Sequence, residues 1–114
     1  MPERPMIPDL PRPIADYVEA NARLDLEGML QPFAPDAVVE DDRHRHVGHA
    51  EIRSWIQQET IASRAIFTPD TLHHEGDHVV VEGPTAGDFK GSPLRFTFRF
   101  ALDDDVIRAL RITL

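Results

Sequence analysis

The sequence predicts an α+β fold, with helices in its first half and an antiparallel sheet in its second half. Apolar residues recur at helical spacing between residues 14 and 59. From residue 64 onward apolar and polar residues alternate, and the turn motifs EGD, KGSP and DDD separate the alternating segments. Helices grouped ahead of hairpin-connected strands are typical of folds in which helices cover one face of a sheet.

The N-terminal segment differs in composition from the rest of the chain. Five prolines fall within residues 1–13, and proline lacks the amide donor that regular structure needs. We therefore predict an extended proline-rich arm over residues 1–12. The remainder, residues 13–114, has the length of a single domain.

Three amphipathic helices are predicted in the first half. Pro13 suits the first turn of the first helix, whose apolar face carries Ile14, Tyr17 and Val18. The second helix follows Asp25, a good N-cap, and ends at the prolines Pro32 and Pro35. The third covers HAEIRSWIQQE, with its apolar face formed by Ile52, Trp55 and Ile56.

Strand patterns account for the rest of the chain. DAVVED is a short β-branched strand between the second and third helices. Pro69 interrupts the strand RAIFTPDTLHH and indicates a bulge or an edge, and Gly83-Pro84 predicts a bulge in HVVVEGPTAGDF. LRFTFRFAL alternates strictly, and VIRALRITL ends the chain. The predicted order is α-α-β-α-β-β-β-β.

The last strand bears on oligomeric state. By simple alternation one face carries Val106, Leu110, Ile112 and Leu114, while the other carries Ile107, Ala109 and Arg111. Because that second face is only partly polar, we predict a homodimer that forms through this face of the sheet.

Composition argues against several classes of partner. The net charge is -8, with 20 acidic residues against 12 Lys and Arg, so neither nucleic acid nor an anionic membrane surface is an expected partner. The chain has no cysteine, which excludes a thiolate nucleophile and a cysteine-ligated zinc. No apolar run approaches the ~20 residues of a membrane span, and no signal-peptide core precedes the domain. We expect a cytoplasmic protein.

The segment AVVEDDRHRH, residues 37–46, holds the densest group of chemically active side chains. Alternation divides it into two faces, one with Ala37, Val39 and Asp41 and the other with Val38, Glu40 and Asp42. Both faces carry a valine, so alternation does not reveal which one points inward. The acidic run also fits a solvated strand end.

Three motifs carry a resemblance to a known family. They are DLEGMLQPFAPDAVVED (25–41), VGHAEIRSW (47–55) and GDFKGSPLRFTFRFALDDDVIRALRI (87–112). With the predicted element order they resemble the nuclear-transport-factor-2-like superfamily, in its SnoaL-like and ketosteroid-isomerase-like branch. The resemblance implies a cystatin-like roll, in which a curved, mostly antiparallel sheet and three helices form a cone around an apolar pocket. It also implies a convex sheet face that pairs with a second copy.

The resemblance assigns roles to two residues. The general base of ketosteroid isomerases ends this strand in the pattern VED and falls on Asp41, and a pocket tyrosine of the first helix falls on Tyr17. The two are 24 residues apart, which matches the family spacing. A carboxylate in an apolar pocket loses solvation and becomes a better base, and a tyrosine hydroxyl can stabilise the enolate oxygen.

The same comparison predicts the pocket wall and shows two departures from the family. Phe96 stands where the isomerases place a second, protonated aspartate, and Ile56 stands where they place another tyrosine. Phenylalanine donates no hydrogen bond, so steroid isomerisation itself is not expected. The residues expected to line the pocket are Trp55, Ile56, Phe96, Phe98, Arg111, His44 and His46. If the face of β-strand VIRALRITL that carries Ile107 and Ala109 points into the cone, Arg111 is a candidate partner for Asp41 or for an anionic group of a ligand; otherwise it forms a surface salt bridge.

The histidines offer a metal-site alternative. His44, His46 and His49 form H-x-H-x-x-H, a pattern that can ligate a metal. They fall in a predicted loop beside Arg43 and Arg45, whose charges would repel a cation. We therefore expect no metal and place His44 and His46 at the pocket mouth, where either could act as a second acid or base.

Three functional hypotheses follow. The first is a cofactor-independent isomerase, cyclase or lyase in which Asp41 is the base for a small, apolar, carbonyl-type substrate. The second is a non-catalytic module that binds a small ligand or dimerises. The third is a metal-dependent protein that uses the histidine segment.

Overall fold

The computed structural model describes residues 10–114, so most of the predicted proline-rich arm lies outside the described residues. The helices are α1 (Arg12–Ala22), α2 (Leu26–Leu30) and α3 (Gly48–Trp55), and α3 continues as a π-helix over Ile56–Ile61. The Asp25 carboxylate accepts a hydrogen bond from the Gly28 amide at 3.1 Å, so Asp25 caps α2 as the sequence predicts. Within residues 10–114, no helix has the length and apolar character needed to cross a membrane.

The strands form one mixed sheet that curls strongly around the helices. Their order is β2-β1-β7-β6-β5-β3, and β4 also pairs with β5; β1 and β7 are parallel and all other pairs are antiparallel. The predicted α+β class and cone are confirmed. The strands are β1 (Phe33–Asp41), β2 (His44–Val47), β3 (Ile66–Phe67), β4 (Thr71–Glu75), β5 (His78–Ala86), β6 (Leu94–Asp103) and β7 (Val106–Thr113).

The histidine segment is a strand, and the prediction of a loop there is wrong. β2 pairs antiparallel with β1 through a two-residue turn at Asp42 and Arg43. Both turn residues have positive φ, 52° and 66°, as a tight type I′ hairpin turn requires. Asn-Gly is the usual signal for such a turn, and Asp-Arg lacks it.

The segment around Pro69 is interrupted as predicted, because β3 and β4 are separate strands that both pair with β5. The predicted bulge at Gly83-Pro84 is wrong, since pairing between β5 and β6 runs without a shift from His78 to Thr85. Glycine is needed at position 83 for a different reason, because a Cβ there would lie 2.1 Å from the Thr68 carbonyl oxygen. Glycine thus allows the segment between β3 and β4 to run close beside β5, where the Thr68 amide donates to the Pro84 carbonyl at 2.9 Å.

The last strand contains a bulge that alternation cannot reveal. Pairing with β6 shifts between Ala109 and Ile107, which leaves Arg108 as the extra residue. The shift turns Ile107 inward, so that it joins Leu110 and Ile112 in the core. The expected grouping of Ile107 with Ala109 and Arg111 on the outer face is therefore wrong.

The core lies between the helices and the inner face of the sheet. Its largest fully buried side chains include Phe33, Phe100, Ile14 and Met29. Buried Asn21 fixes α1 to the entry of β3: its amide donates to the Ala65 carbonyl at 2.9 Å, and its side-chain oxygen accepts from the Phe67 amide at 2.7 Å. These bonds hold one wall of the cavity described next.

Candidate active site

A cavity of about 900 Å³ lies between the helices and the open end of the curled sheet. α1 contributes Tyr17, the β1–β2 hairpin contributes Asp41 and His44, and α3 with its π-helical extension contributes Trp55 and Thr60. The strands on the far side contribute Thr85, Phe96 and Phe98. The volume suits a small organic ligand, and the wall contains both aromatic and polar groups.

Asp41 reaches the cavity because of its place in β1. Ala37 and Val39 are fully buried, and Asp41 is the next residue on the same face, whereas Glu40 on the other face is exposed. The Asp41 side chain is half-buried, and its Oδ2 accepts a hydrogen bond from the Trp55 indole Nε1 at 3.0 Å. That bond fixes the carboxylate and leaves Oδ1 available to a ligand.

Tyr17 enters the cavity from α1 through a cluster of aromatic rings. Its ring packs against Phe33, Phe98 and Phe100 at centroid distances of 5.9, 6.4 and 6.1 Å. Burial raises the pKa of the Tyr17 hydroxyl well above its usual value, and the nearby charge of Asp41 raises this pKa further. Tyr17 is therefore protonated at neutral pH, which is the form that donates a hydrogen bond.

The two predicted rim histidines have different environments. His44 is the direct cross-strand partner of Asp41 and lines the cavity. His46 is not on the cavity wall: its ring packs beside Trp55 at a centroid distance of 6.1 Å. His49 turns away from both, with Nε2 2.8 Å from the Phe33 carbonyl oxygen. Across residues 10–114, no group of three or more histidine, aspartate or glutamate side chains could hold a metal ion.

The residues of α3 and β6 that were predicted to line the cavity also differ, since three of them line it and one does not. Trp55, Phe96 and Phe98 line the cavity, and Phe98 stacks on Phe67 at 4.0 Å. Ile56 does not line the cavity, because it lies one turn beyond Ile52 on the same helix face and is fully buried in the core.

Arg111 reaches the cavity rim but does not pair with Asp41. Alternation with the buried Leu110 and Ile112 places it on the outer face of β7. There it lies beside Glu40, its partner on β1, with 4.0 Å between Arg111 Nε and Glu40 Oε1. The arginine side chain is 67% exposed. This surface pair therefore contributes little to stability.

Polar groups on the wall were missed by sequence reasoning. Gln58, Thr60 and Ser63 come from the π-helix and the turn after it, whose register a 3.6-residue pattern does not describe. Thr85 follows the buried residues Val79, Val81 and Gly83 on the inner face of β5. The only sequence signal was a hydroxyl at a position where alternation predicts an apolar side chain.

Comparison with known proteins places this geometry in a family. The family model "SnoaL-like domain" matches residues 14–110. A putative polyketide cyclase from Sinorhizobium meliloti is 34% identical, with a TM-score of 0.86 over 92% of this chain and 96% of that one. No curated protein matches this chain.

More distant structures share the fold. A protein with a ketosteroid-isomerase-like fold from Catenulispora acidiphila, solved with trimethylamine, has a TM-score of 0.79 at 19% identity over 93% of this chain and 87% of that one. A Mycobacterium tuberculosis protein, solved with estradiol-17beta-hemisuccinate, has a TM-score of 0.77 at 16% identity over 90% of each chain.

Proposed function

The chain belongs to the SnoaL-like domain family, and from this premise we propose that it catalyses enolisation of a small, apolar carbonyl compound, as an isomerase, cyclase or lyase. The observation that carries the proposal is the Asp41 carboxylate, held by Trp55 at 3.0 Å on the wall of the cavity that Tyr17 also lines. A fixed base beside a protonated hydroxyl is the pair that proton abstraction next to a carbonyl requires.

In the proposed first step, Asp41 Oδ1 takes a proton from the carbon next to the substrate carbonyl. The electron pair of the broken C–H bond moves into the carbonyl group, whose oxygen becomes negative. The Tyr17 hydroxyl donates a hydrogen bond to this oxygen. Its raised pKa keeps the proton on the tyrosine until charge develops on the substrate.

The second step determines the reaction type. In an isomerase Asp41 returns the proton to a different carbon. In a cyclase the enolate carbon forms a bond to a second carbonyl carbon of the same molecule, the π bond of that carbonyl breaks, and its oxygen takes the proton from Asp41. The likeness to the Sinorhizobium protein named as a putative polyketide cyclase favours the second possibility. The cavity volume of about 900 Å³ is large enough for either reaction.

One observation favours the non-catalytic alternative. Phe96 lines the cavity where the related isomerases place a second hydrogen-bond donor, and the Trp55 N–H is already bonded to Asp41. An oxyanion donor typically contributes about 3–4 kcal/mol to transition-state stabilisation. With Tyr17 alone, catalysis would be slower than in an enzyme with two donors.

The test is proton exchange on a model substrate. The bicyclic ketone 2-tetralone is incubated with the protein in D₂O, and loss of its enolisable hydrogens is followed by NMR. We expect exchange above the buffer rate, a loss of about 10²–10⁴-fold with Asp41→Asn, and a loss of about 10²–10³-fold with Tyr17→Phe.

A matched control changes an acid outside the cavity chemistry. Asp36→Asn alters an exposed residue of β1 that does not line the cavity and should leave exchange unchanged. Equal exchange in wild type and Asp41→Asn would reject Asp41 as the base. Binding of the ketone without exchange in wild type would support the non-catalytic alternative.

A further inference from the structure

Thr60 carries a hydroxyl on the cavity wall that the proposed chemistry does not use. The residue is 8% exposed and lines the cavity. A serine or threonine in a helix can donate its hydroxyl to a carbonyl of the preceding turn, as Ser63 does to Glu59 at 2.7 Å. The Thr60 hydroxyl forms no hydrogen bond with residues 10–114, and among these residues the only unpartnered side-chain oxygen that is closed to solvent belongs to Thr85. The Thr60 oxygen is therefore both unpartnered and accessible.

The π-helix over Ile56–Ile61 turns Thr60 toward the cavity. With α-helical spacing Thr60 would lie about 140° around the helix from Trp55, on the side of Ile56, which is buried in the core. In a π-helix the hydrogen bonds join residues five apart, so Thr60 lies one turn beyond Trp55 on nearly the same side. Both residues line the cavity. Single π-helical turns inside α-helices are frequent at functional sites.

Two hydrogen bonds fix the position of Thr60 relative to Tyr17. The Ala65 amide donates to the Thr60 carbonyl at 3.0 Å, and the Ala65 carbonyl accepts from the Asn21 side-chain amide at 2.9 Å. Asn21 lies one turn after Tyr17 on α1, about 6 Å along the helix axis, and both are buried. The Tyr17 and Thr60 side chains are therefore held on the helical side of the cavity, and Trp55, which holds the base, is one turn from Thr60.

The other neutral donors on the helical side of the cavity are engaged. The Trp55 indole bonds the base, and the Ser63 hydroxyl bonds a backbone carbonyl. The Gln58 side-chain amide donates to a serine of the preceding turn at 3.2 Å. On this side of the cavity, the hydroxyl groups of Tyr17 and Thr60 are the ones available to the oxygen of a substrate.

We infer that Thr60 is a second catalytic donor, whose hydroxyl bonds the enolate oxygen beside that of Tyr17. It takes over the role of the donor that related isomerases carry at the position of Phe96. This inference rests on the proposed function, because Asp41 must create the enolate. No bond to Thr60 forms or breaks, since its hydroxyl keeps the proton and the hydrogen bond shortens as negative charge develops on the substrate oxygen. Because this bond is strongest in the transition state, it accelerates turnover more than it tightens substrate binding.

The experiment measures exchange of the 2-tetralone hydrogens in D₂O by NMR at several ketone concentrations, which gives kcat and KM. The variants are Thr60→Val, which has the shape of threonine without the hydroxyl, and Thr60→Ser, which keeps the hydroxyl. Thr71→Val is the matched control, because Thr71 is exposed on β4 and does not line the cavity.

The expected result is a loss of turnover that depends on the Thr60 hydroxyl. Thr60→Val should lower kcat by about 10²-fold, the lower end of the range for one oxyanion donor, and leave KM almost unchanged. Thr60→Ser should retain most of the activity, and Thr71→Val all of it. The melting temperature of Thr60→Val should equal or exceed that of wild type, because the lost hydroxyl has no partner in the folded protein. If Thr60→Val melts below wild type, Thr60→Ala, which adds no atom to the wall, replaces it with the same expected loss.

Three outcomes would overturn the inference. An unchanged kcat in Thr60→Val would show that the hydroxyl does not act, and an equal loss in Thr60→Ser would assign the effect to packing. A rise in KM alone would make Thr60 a binding contact only. The proposed function fails separately, through exchange that wild type does not accelerate or that Asp41→Asn retains. A loss in Asp41→Asn without one in Thr60→Val would therefore reject only the role of Thr60.

Discussion

Tyr17 should make the stability of the fold sensitive to alkaline pH. Burial, and to a smaller extent the charge of Asp41, raise the pKa of its hydroxyl above the ordinary value of 10.0. The folded state therefore keeps the proton at pH values where the unfolded chain has lost it. Because the unfolded state binds fewer protons in this range, the free energy of unfolding falls as pH rises above 10.

The size of this loss in unfolding free energy follows from the single proton that the Tyr17 hydroxyl releases. The slope approaches about 1.4 kcal/mol per pH unit, and the accumulated loss one unit above the unfolded pKa is also about 1.4 kcal/mol. Below pH 9 the hydroxyl is protonated in both states, so the contribution there is constant. The loss should continue until the pH reaches the pKa of the folded state.

The chain offers a direct assay, since Tyr17 is its only tyrosine. The near-ultraviolet absorbance of tyrosinate, recorded against pH in the folded protein and in urea, reports this residue alone. Urea unfolding at several alkaline pH values then gives the loss of stability. Tyr17→Phe is the control, because every other titratable group is common to both proteins.

The Asp41→Asn variant separates the effect of burial on the Tyr17 pKa from the effect of the Asp41 charge. It removes the charge and should move the tyrosinate transition part of the way back toward 10, while burial keeps it raised. A transition near the ordinary value in the folded wild-type protein would refute the description of Tyr17 as a buried donor. So would equal alkaline destabilisation of wild type and Tyr17→Phe.

Two further predictions concern the hairpin and the assembly. Replacing Asp42-Arg43 by Asn-Gly should raise the free energy of unfolding by about 1 kcal/mol, because both positions have positive φ; a lower urea midpoint would contradict this. We also propose that two copies of the chain form a homodimer through the outer face of the sheet. Sedimentation should then give about twice the chain mass of 12.9 kDa. The variant Arg99→Glu, which changes a residue on this face, should give the monomer. A wild-type monomer at micromolar concentration would reject the dimer.

The predictable part of this fold is the part that local patterns encode. Alternation in β6 and the cap at Asp25 each depend on residues close in sequence, and both were interpreted correctly. The inward position of Asp41 required the resemblance, because Val38 and Val39 give both faces of β1 the same apolar character. In the structure Val39 is fully buried while Val38 is only half-buried.

Two of the errors originate in local changes of register. Arg108 inserts one residue into β7, which reverses the face of Ile107 relative to Ala109 and Arg111. The π-helix likewise changes which residues after Trp55 face the cavity. Since side chains alternate with a period of two in a strand, one extra residue is enough to invalidate every assignment on one side of it.

Long-range pairs form a second class that the sequence does not reveal. The Trp55–Asp41 hydrogen bond joins residues 14 positions apart on different elements. Its formation depends on how α3 sits against β1, which no local pattern specifies. It also changes the chemistry, because the Trp55 indole, which was expected only to form part of the wall, also positions the base.

The strained turn at Asp42 and Arg43 explains why His44 lies beside the proposed base. A two-residue turn is the shortest connection in a hairpin, and it makes Asp41 and His44 direct cross-strand partners on the inner face. Their Cβ atoms are then about 5 Å apart. A longer loop would relieve the positive φ angles but would separate the pair. Strain of this kind persists where the surrounding structure requires it, and here it keeps the His44 imidazole beside the Asp41 carboxylate on the cavity wall.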